Sequence, residues 1–341
     1  MAGGNRKIFK KNMKKLLITG GAGFIGSNFI HYILKKYKNY KIVNLDKLTY
    51  AGNLDNLKDI KKDSRYKFIK GDICDEKLVD RIFKNEKPDF VINFAAASHV
   101  DRSITEPEVF TKTNILGTHI LLEASRRYEI NRFIFISTDE VYGPIEKGTF
   151  KESDVFNPSS PYSASKAGAD LLCRSYYTTY KLPVLIIRPT NNFGYRQHCE
   201  KLIPRFIINI LQNKKVGLFG NGLQRREWIF VSDCVAGIDM VLHKGKLGQA
   251  YNLGGGRKND KTNLWITKFL LKELKKPESF ITFIKDRPGH DVRYALDSSK
   301  IKKLGWKPEW GLGQGLRETC RWYKNSPNYW RPFVKDKFVK F

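Results

Sequence analysis

Short apolar runs alternate with helical patterns through the first half of this 341-residue chain. A glycine-rich turn joins the first such pair, and an acidic residue ends the second apolar run. Together these predict an α/β fold built on a doubly wound parallel sheet, followed by a smaller C-terminal α/β lobe that binds substrate.

The elements justify this in order. Residues 1–13 read as a basic extension, and the fold begins at the strand Lys15–Thr19. Gly20, Gly23 and Gly26 follow, interleaved with Phe24 and Ile25, and an amphipathic helix runs on through Phe29, Ile30, Ile33 and Leu34. Glycines at this spacing between a strand and a helix permit a tight turn, a close backbone approach to a pyrophosphate and a helix N-terminus aimed at it. This is the Rossmann-type dinucleotide turn. The second strand, Lys41–Leu45, ends at Asp46, where a carboxylate accepts from an adenosine 2′-hydroxyl and repels a 2′-phosphate. That favours NAD over NADP, although Lys47 beside it weakens the charge argument. The strand Tyr66–Ile69 leads to Asp72 and Ile73, a polar end suited to an adenine edge. The strand Phe90–Phe94 leads to Ala95, Ala96 and Ala97, small enough for a cofactor to approach the backbone.

Residues 107–128 form one long helix pattern with Asn114, Gly117 and Leu121 inward. It either covers the sheet or joins the 162–180 helix in a bundle between subunits. After the strand Pro183–Ile187 the alternation weakens. Residues 200–204, 220–228 and 286–291 read as polar, mostly arginine-bearing loops, suited to a cap that grips an anionic substrate. The resulting division is a NAD-binding domain over 14–190, rejoined by about 228–255, and a mainly substrate-binding lobe over 191–341.

The chemistry gathers at two stretches. The apolar run Arg132–Ile136 ends at Ser137, Thr138, Asp139 and Glu140, and open α/β sheets bind ligands at such strand ends. Tyr162 and Lys166 are four residues apart on a helix, hence on one face. A tyrosine is a weak base at neutral pH. A nearby ammonium and a cofactor cation favour its phenolate, which then takes a proton from an alcohol while hydride leaves its carbon. Thr138 would orient that alcohol.

These residues resemble an extended short-chain dehydrogenase/reductase, and more narrowly the nucleotide-sugar 4,6-dehydratases that act on dTDP-glucose. The likeness rests on Thr19–Gly26, Leu45–Asn53, Ser98–Ser103, Ser137–Gly143, Tyr162–Lys166, Glu200–Pro204 and Arg287–Asp291, and spans about residues 14–325. It implies oxidation at C4 of a hexose, loss of water across C5 and C6, and return of hydride to C6, with a tightly held NAD regenerated in each turnover. By the same resemblance, Glu140 is the base at C5 and Asp139 the acid at the departing C6 hydroxyl. An acid must carry its proton, so Asp139 should be buried beside Glu140 with a raised pKa. The resemblance also assigns Phe24, Ile25, Asp46, Lys47, Leu48, Thr49, Asp72, Ile73, Thr113, Tyr162, Lys166 and Asn192 to NAD. It assigns Ser98, Thr138 and Asn191 to the sugar or nearby phosphate. Lys201, Leu202, Arg226, Asn252, Arg287 and His290 would hold the nucleotide diphosphate.

Three positions depart from the family's usual residues: Ala97 where glutamate is frequent, and Tyr195 and Cys199 where proline is usual. They are expected close to the substrate and leave open UDP-glucose or a UDP- or GDP-linked N-acetylglucosamine. A sugar epimerase is a weaker reading, because it would leave Asp139 and Glu140 idle.

The bulk composition excludes other classes. No apolar run approaches the ~20 residues of a membrane span. The N-terminus lacks the apolar core of a signal peptide, and the five cysteines are scattered without a CxxC pair. A cytoplasmic enzyme with no metal site follows. The net charge of +28 comes from lysines spread along the chain, which reads as a solvated surface and not as a nucleic-acid interface.

Overall fold

A computed structural model describes residues 13–286 and 291–334; the N-terminal extension, Arg287 and His290 lie outside the described residues. The first six strands are β1 (Lys14–Thr19), β2 (Tyr40–Asp46), β3 (Tyr66–Lys70), β4 (Phe90–Asn93), β5 (Arg132–Ile136) and β6 (Val184–Pro189). With Ala250–Leu253 they form one parallel sheet in the order β3–β2–β1–β4–β5–β6 and then Ala250–Leu253. The chain starts at β1, winds outward to β3, and returns beside β1 as β4. The switch point of the sheet therefore lies between β1 and β4, and it opens at their C-terminal ends.

Successive side chains of a strand face opposite sides, so a sheet covered on both sides needs continuous apolar strands. Here Leu16, Ile18, Ile134 and Ile136 join the core beneath α1 (Phe24–Lys36) and the Val231–Lys244 helix. Their neighbours Leu17, Phe133 and Phe135 join the opposite core, beneath α2 (Glu76–Glu86) and the Gly117–Arg127 and Pro161–Tyr180 helices. A third core, around Phe193, Phe206, Trp228, Phe230 and Leu316, belongs to the C-terminal part.

The helix expected over 107–128 is interrupted. Thr111–Leu116 forms a π-helical turn between Pro107–Phe110 and Gly117–Arg127. Such turns are rare and concentrate at functional sites. The reason is Asn114, whose carboxamide bonds both backbone groups of Ala97 and the Ser165 hydroxyl. Satisfying all three draws the helix out of α register. Two stretches expected as loops are ordered elements. Leu202–Leu211 is a helix whose Ile203, Phe206, Ile207 and Ile210 are buried, and Arg225–Phe230 is a strand paired with Asp260–Thr262 and Asn191–Phe193. Their flanking charges masked an apolar periodicity that only the third core exposes.

Candidate active site

The glycine turn comes first. Gly20 has φ +68°, and a Cβ there would lie 2.6 Å from the Ala95 amide nitrogen, so the ends of β1 and β4 touch only because the side chain is missing. A Cβ on Gly26 would lie 2.5 Å from the Gly20 carbonyl oxygen. α1 begins at Gly23, which offers no capping side chain, and its first turn holds no acidic residue. Its free amides and dipole make an anion site, which fits a dinucleotide pyrophosphate. At the end of β2, Asp46 accepts from the amides of Ala22 at 2.9 Å and Leu48 at 2.8 Å. Burial pushes its pKa up while those two bonds oppose the shift. Lys47 is turned to Asp72 at 2.7 Å, so the ammonium beside Asp46 is already paired. The carboxylate expected at an adenosine ribose lines the cleft, with one backbone amide on each of its oxygens.

A cleft of about 410 Å³ runs from this turn to the end of β5. It is lined by Gly20, Gly23, Phe24, Ile25, Gly26, Asp46, Lys47, Thr49, Asp72, Ile73, Phe94, Ala95, Ala96, Thr113, Tyr162, Lys166 and Asn192. Of the residues expected at the cofactor, only Leu48 does not line it. Its φ is +58°, and its side chain packs on the core while its amide serves Asp46. Ser98, Thr138, Asp139, Glu140, Asn191 and Lys201 line the same cleft.

At the end of β5 the chain turns into a short 3-10 helix, Asp139–Tyr142, capped by Thr138. The Thr138 hydroxyl accepts from the Glu140 amide at 3.3 Å and donates to Asp139 Oδ1 at 3.2 Å. Asp139 is 3% exposed, and its Oδ2 has no hydrogen-bond partner. Burial first, and the Glu140 carboxylate second, raise its pKa well above the carboxylate range; the Thr138 hydroxyl and the Arg226 charge oppose this. An aspartic acid that keeps its proton is what the acid role requires.

The Pro161–Tyr180 helix starts from a Ser160/Ser163 capping box with Pro161 in its first turn, which fixes where the helix begins. Tyr162 and Lys166 thereby face β5. Lys166 is 3% exposed, donates to the Ile136 carbonyl at 2.6 Å and lies 4.1 Å from the Phe135 ring centroid. Burial pulls its pKa down to about 8, against the pull of Cys173 and Asp170. The sequence argument expected a nearby ammonium to favour the Tyr162 phenolate. Instead, burial and the Glu140 carboxylate hold this phenol above its ordinary value, opposed by a hydrogen bond with Thr138. The Lys166 ammonium is occupied by the β5 carbonyl.

Three other expected site residues do not line the cleft. Asn252 is fully buried: its Oδ1 accepts from Tyr142 and its Nδ2 donates to the Phe150 carbonyl, so it belongs to the framework and not to a diphosphate site. Leu202 is the first residue of its helix and does not line the cleft. Arg226 donates to the carbonyls of Arg225 and Asp291 and lies 4.8 Å from the Tyr294 ring centroid. Among the three departures, only Ala97 lines the cleft. Tyr195 packs against Phe230 and Trp322, and Cys199 is fully buried.

A charged hub around Glu200, not evident from local sequence, borders the same cleft. Glu200 stands 3.5 Å from His99, 3.7 Å from His198, 3.8 Å from Lys201 and 3.9 Å from Arg102. The Arg102 guanidinium lies 4.1 Å from the ring centroid of Tyr50, whose phenol also faces the cleft. The signal lay in the polar motifs Ser98–Ser103 and Glu200–Pro204, whose meeting across about a hundred residues only the fold shows.

Lys166 generates a prediction. Below pH 8 its amine is charged in the folded and unfolded chains alike, and the cost of burying the charge is fully present. That cost fades as pH rises and is gone once the unfolded lysine also loses its proton, near 10.5. It is on the order of 3 kcal/mol. Lys166→Met should therefore raise the thermal midpoint of the ligand-free protein by several degrees at neutral pH. The gain should shrink toward pH 10, while activity is lost. A variant that melts below wild type at neutral pH would count against this balance.

Comparison with known proteins agrees with the geometry. A family model described as GDP-mannose 4,6 dehydratase matches residues 17–319. The Agl12 low-salt glycan biosynthesis protein of Haloferax volcanii is 49% identical over 308 residues, covering 90% of this chain and 98% of its own. A dTDP-glucose 4,6-dehydratase of Neisseria gonorrhoeae is 48% identical over 337 residues, covering 92% and 96%. The crystal structure of DesIV, a dTDP-glucose 4,6-dehydratase from Streptomyces venezuelae with NAD and TYD bound, has a TM-score of 0.90 at 44% identity, covering 93% of this chain and 99% of that one. With its glycine turn, acidic strand end and Thr-Asp-Glu/Tyr-Lys cleft, this chain belongs to the nucleotide-sugar 4,6-dehydratase family of extended short-chain dehydrogenases/reductases.

Proposed function

We propose that the protein converts dTDP-glucose to dTDP-4-keto-6-deoxyglucose with a tightly held NAD. The observation that carries this reading is Asp139, a buried carboxyl beside Glu140 in a Tyr-Lys cleft, its pKa pushed well above the ordinary value by burial and by that neighbour. Oxidation alone has no use for such an acid. The 43–48% identity to dTDP-glucose 4,6-dehydratases over most of the chain supports the same substrate.

NAD, which the glycine turn, Asp46 and the neighbouring strand ends of the cleft would hold, would supply the redox chemistry as acceptor and donor of one hydride. The chain supplies the protons. Tyr162 takes the C4 hydroxyl proton, with Thr138 orienting the alcohol and the buried Lys166 fixed on the end of β5 by its bond to the Ile136 carbonyl. The ketone at C4 acidifies the C5 proton, which Glu140 removes. Asp139 protonates the C6 hydroxyl, which leaves as water, and Glu140 returns its proton to C5. One cycle leaves Tyr162 with a proton gained and Asp139 with a proton lost. The Thr138 hydroxyl interacts with both, and so offers a single-step route to reset them. Ser98, Asn191 and Lys201 hold the substrate at the cleft wall, with Arg287 and His290 expected on the nucleotide side. Ala97, the one departure that lines the cleft, is compatible with a second reading in which another nucleotide sugar is dehydrated.

The protein is further proposed to act as a homodimer in the cytoplasm. Supporting the dimer, Leu116, Leu171 and Tyr180 are exposed large apolar or aromatic side chains on the π-helical turn and the Pro161–Tyr180 helix, around a groove lined by Ile115, Leu116 and Leu172. No helix among the described residues is long and apolar enough to cross a membrane.

Three outcomes test these statements. A panel of nucleotide sugars should give, from dTDP-glucose, a product lighter by one water without net build-up of reduced cofactor; unchanged mass with inverted stereochemistry would transfer the protein to the epimerases. Glu140→Gln should oxidise C4 but stall before elimination, and rapid product release by that variant would remove Glu140 as the base. Sedimentation should give twice the chain mass for wild type and the single-chain mass for Leu116→Glu; a monomeric wild type would end the dimer proposal.

A further inference from the structure

Behind the site lies a charged group that the mechanism does not use. Arg188, on β6, is fully buried, as is its partner Asp170. Nε donates to Asp170 Oδ2 at 2.9 Å and Nη2 to Oδ1 at 2.8 Å, a bidentate fork. The remaining nitrogen, Nη1, donates to the Tyr142 hydroxyl at 2.6 Å and to the Glu152 carbonyl at 3.2 Å. The guanidinium carbon lies 5.2 Å from the Tyr142 ring centroid and 4.7 Å from that of Phe156.

The two ends of this fork sit on the two arms of the active site. Tyr162, Lys166 and Asp170 follow one another at intervals of four on the Pro161–Tyr180 helix, so Asp170 continues the face that carries the proton acceptor and its lysine. Tyr142 closes the 3-10 turn that begins with Asp139 and Glu140. One planar cation thus bonds to the oxidation arm with one edge and to the elimination arm with the other. Its own strand is paired with β5, whose end carries Thr138, and with Ala250–Leu253, whose Asn252 accepts from the same Tyr142 hydroxyl at 2.8 Å.

Stability alone is a poor account of such a group. A buried ion pair recovers little beyond its desolvation cost, and apolar residues of similar volume often pack as well. Apolar packing cannot fix two separate elements at set angles, whereas a rigid fork with directed donors can. We propose that Arg188 is a positioning residue for the dehydration: it locks the Asp139–Tyr142 turn in register with the Tyr162–Lys166 helix, so that oxidation at C4 and elimination across C5 and C6 act on one bound sugar. The inference rests on the dehydratase reading above.

The test compares wild type, Arg188→Lys and Tyr142→Phe, with dTDP-glucose in a quenched single turnover read by product mass, alongside steady-state kinetics and thermal melting. Lysine keeps the charge and loses the fork; phenylalanine keeps the Arg188–Asp170 pair and cuts only the link to the turn. Arg188→Lys should lower kcat on the order of 100-fold while KM stays within about threefold, the loss expected when bound substrate is held but reacting groups are misplaced. In Tyr142→Phe, sugar that is oxidised but not dehydrated, two hydrogens lighter than substrate, should accumulate where wild type shows none. Oxidation and elimination falling in parallel with the melting temperature, or Tyr142→Phe matching wild type in both rate and partition, would overturn the positioning role. A wild type that releases no water from the sugar would instead sink the dehydratase reading and this inference with it. If Arg188→Lys does not fold, the Tyr142→Phe partition decides alone.

Discussion

A parallel sheet covered by helices on both faces leaves a ligand nowhere to bind except at the strand ends. Everything in this molecule follows from that constraint. The strands are apolar on both sides because both sides are covered, so polar residues collect where the strands stop. The reversal between β1 and β4 holds the crevice open, and Gly20 lets the two strand ends touch across it. The anion-binding end of α1, the Asp46 carboxylate and the Thr138–Glu140 turn are three strand-end features facing one cleft.

Desolvation then sets the chemistry. The same burial acts in opposite senses on opposite charges. It drives Asp139 and Tyr162 toward their protonated forms and Lys166 toward its neutral one. A carboxyl that would be ionised in water is pushed toward its acid form, and its neighbour Glu140 reinforces the effect by like-charge repulsion. The free protein thus holds its proton acceptor in the acid form. The positive charge needed to release that proton belongs to the occupied site, which couples chemistry to a filled cleft. The Thr138 hydroxyl interacts with both Asp139 and Tyr162, so in the proposed cycle it is more than an orienting group.

The framework around these groups is polar to an unusual depth. Arg188, Asn252 and Asn114 are each at most 1% exposed, and each bonds to at least two separate segments of the chain, while the equally buried Asp170 is held in the Arg188 fork. Buried polar networks are costly when incomplete and directional when complete. Here they surround the moving protons, where a small angular error matters more than a small gain in stability.

How much was legible in the sequence depended on the range of the physics involved. Strand and helix periodicity, the glycine turn, the acid at the end of β2, and the four-residue step from Tyr162 to Lys166 are local, and the chain shows them directly. The order of Thr138, Asp139 and Glu140 at the end of an apolar run is local too, and with the family likeness it identified the reaction type. The rest needed the tertiary structure. Asn114 breaks its helix because Ala97 and Ser165 arrive from elsewhere. Glu200 gathers basic groups from two segments about a hundred residues apart. Tyr195 and Cys199 look like substrate contacts beside their motifs, but the third core claims them. Asn252 reads as a polar strand end and proves to be a buried strut for Tyr142. Sequence alone determined which groups are present and which lie on one face of one element. Burial depth, the sign of each pKa shift and the partner of each buried charge arise from contacts between distant segments, so only the folded chain decided them.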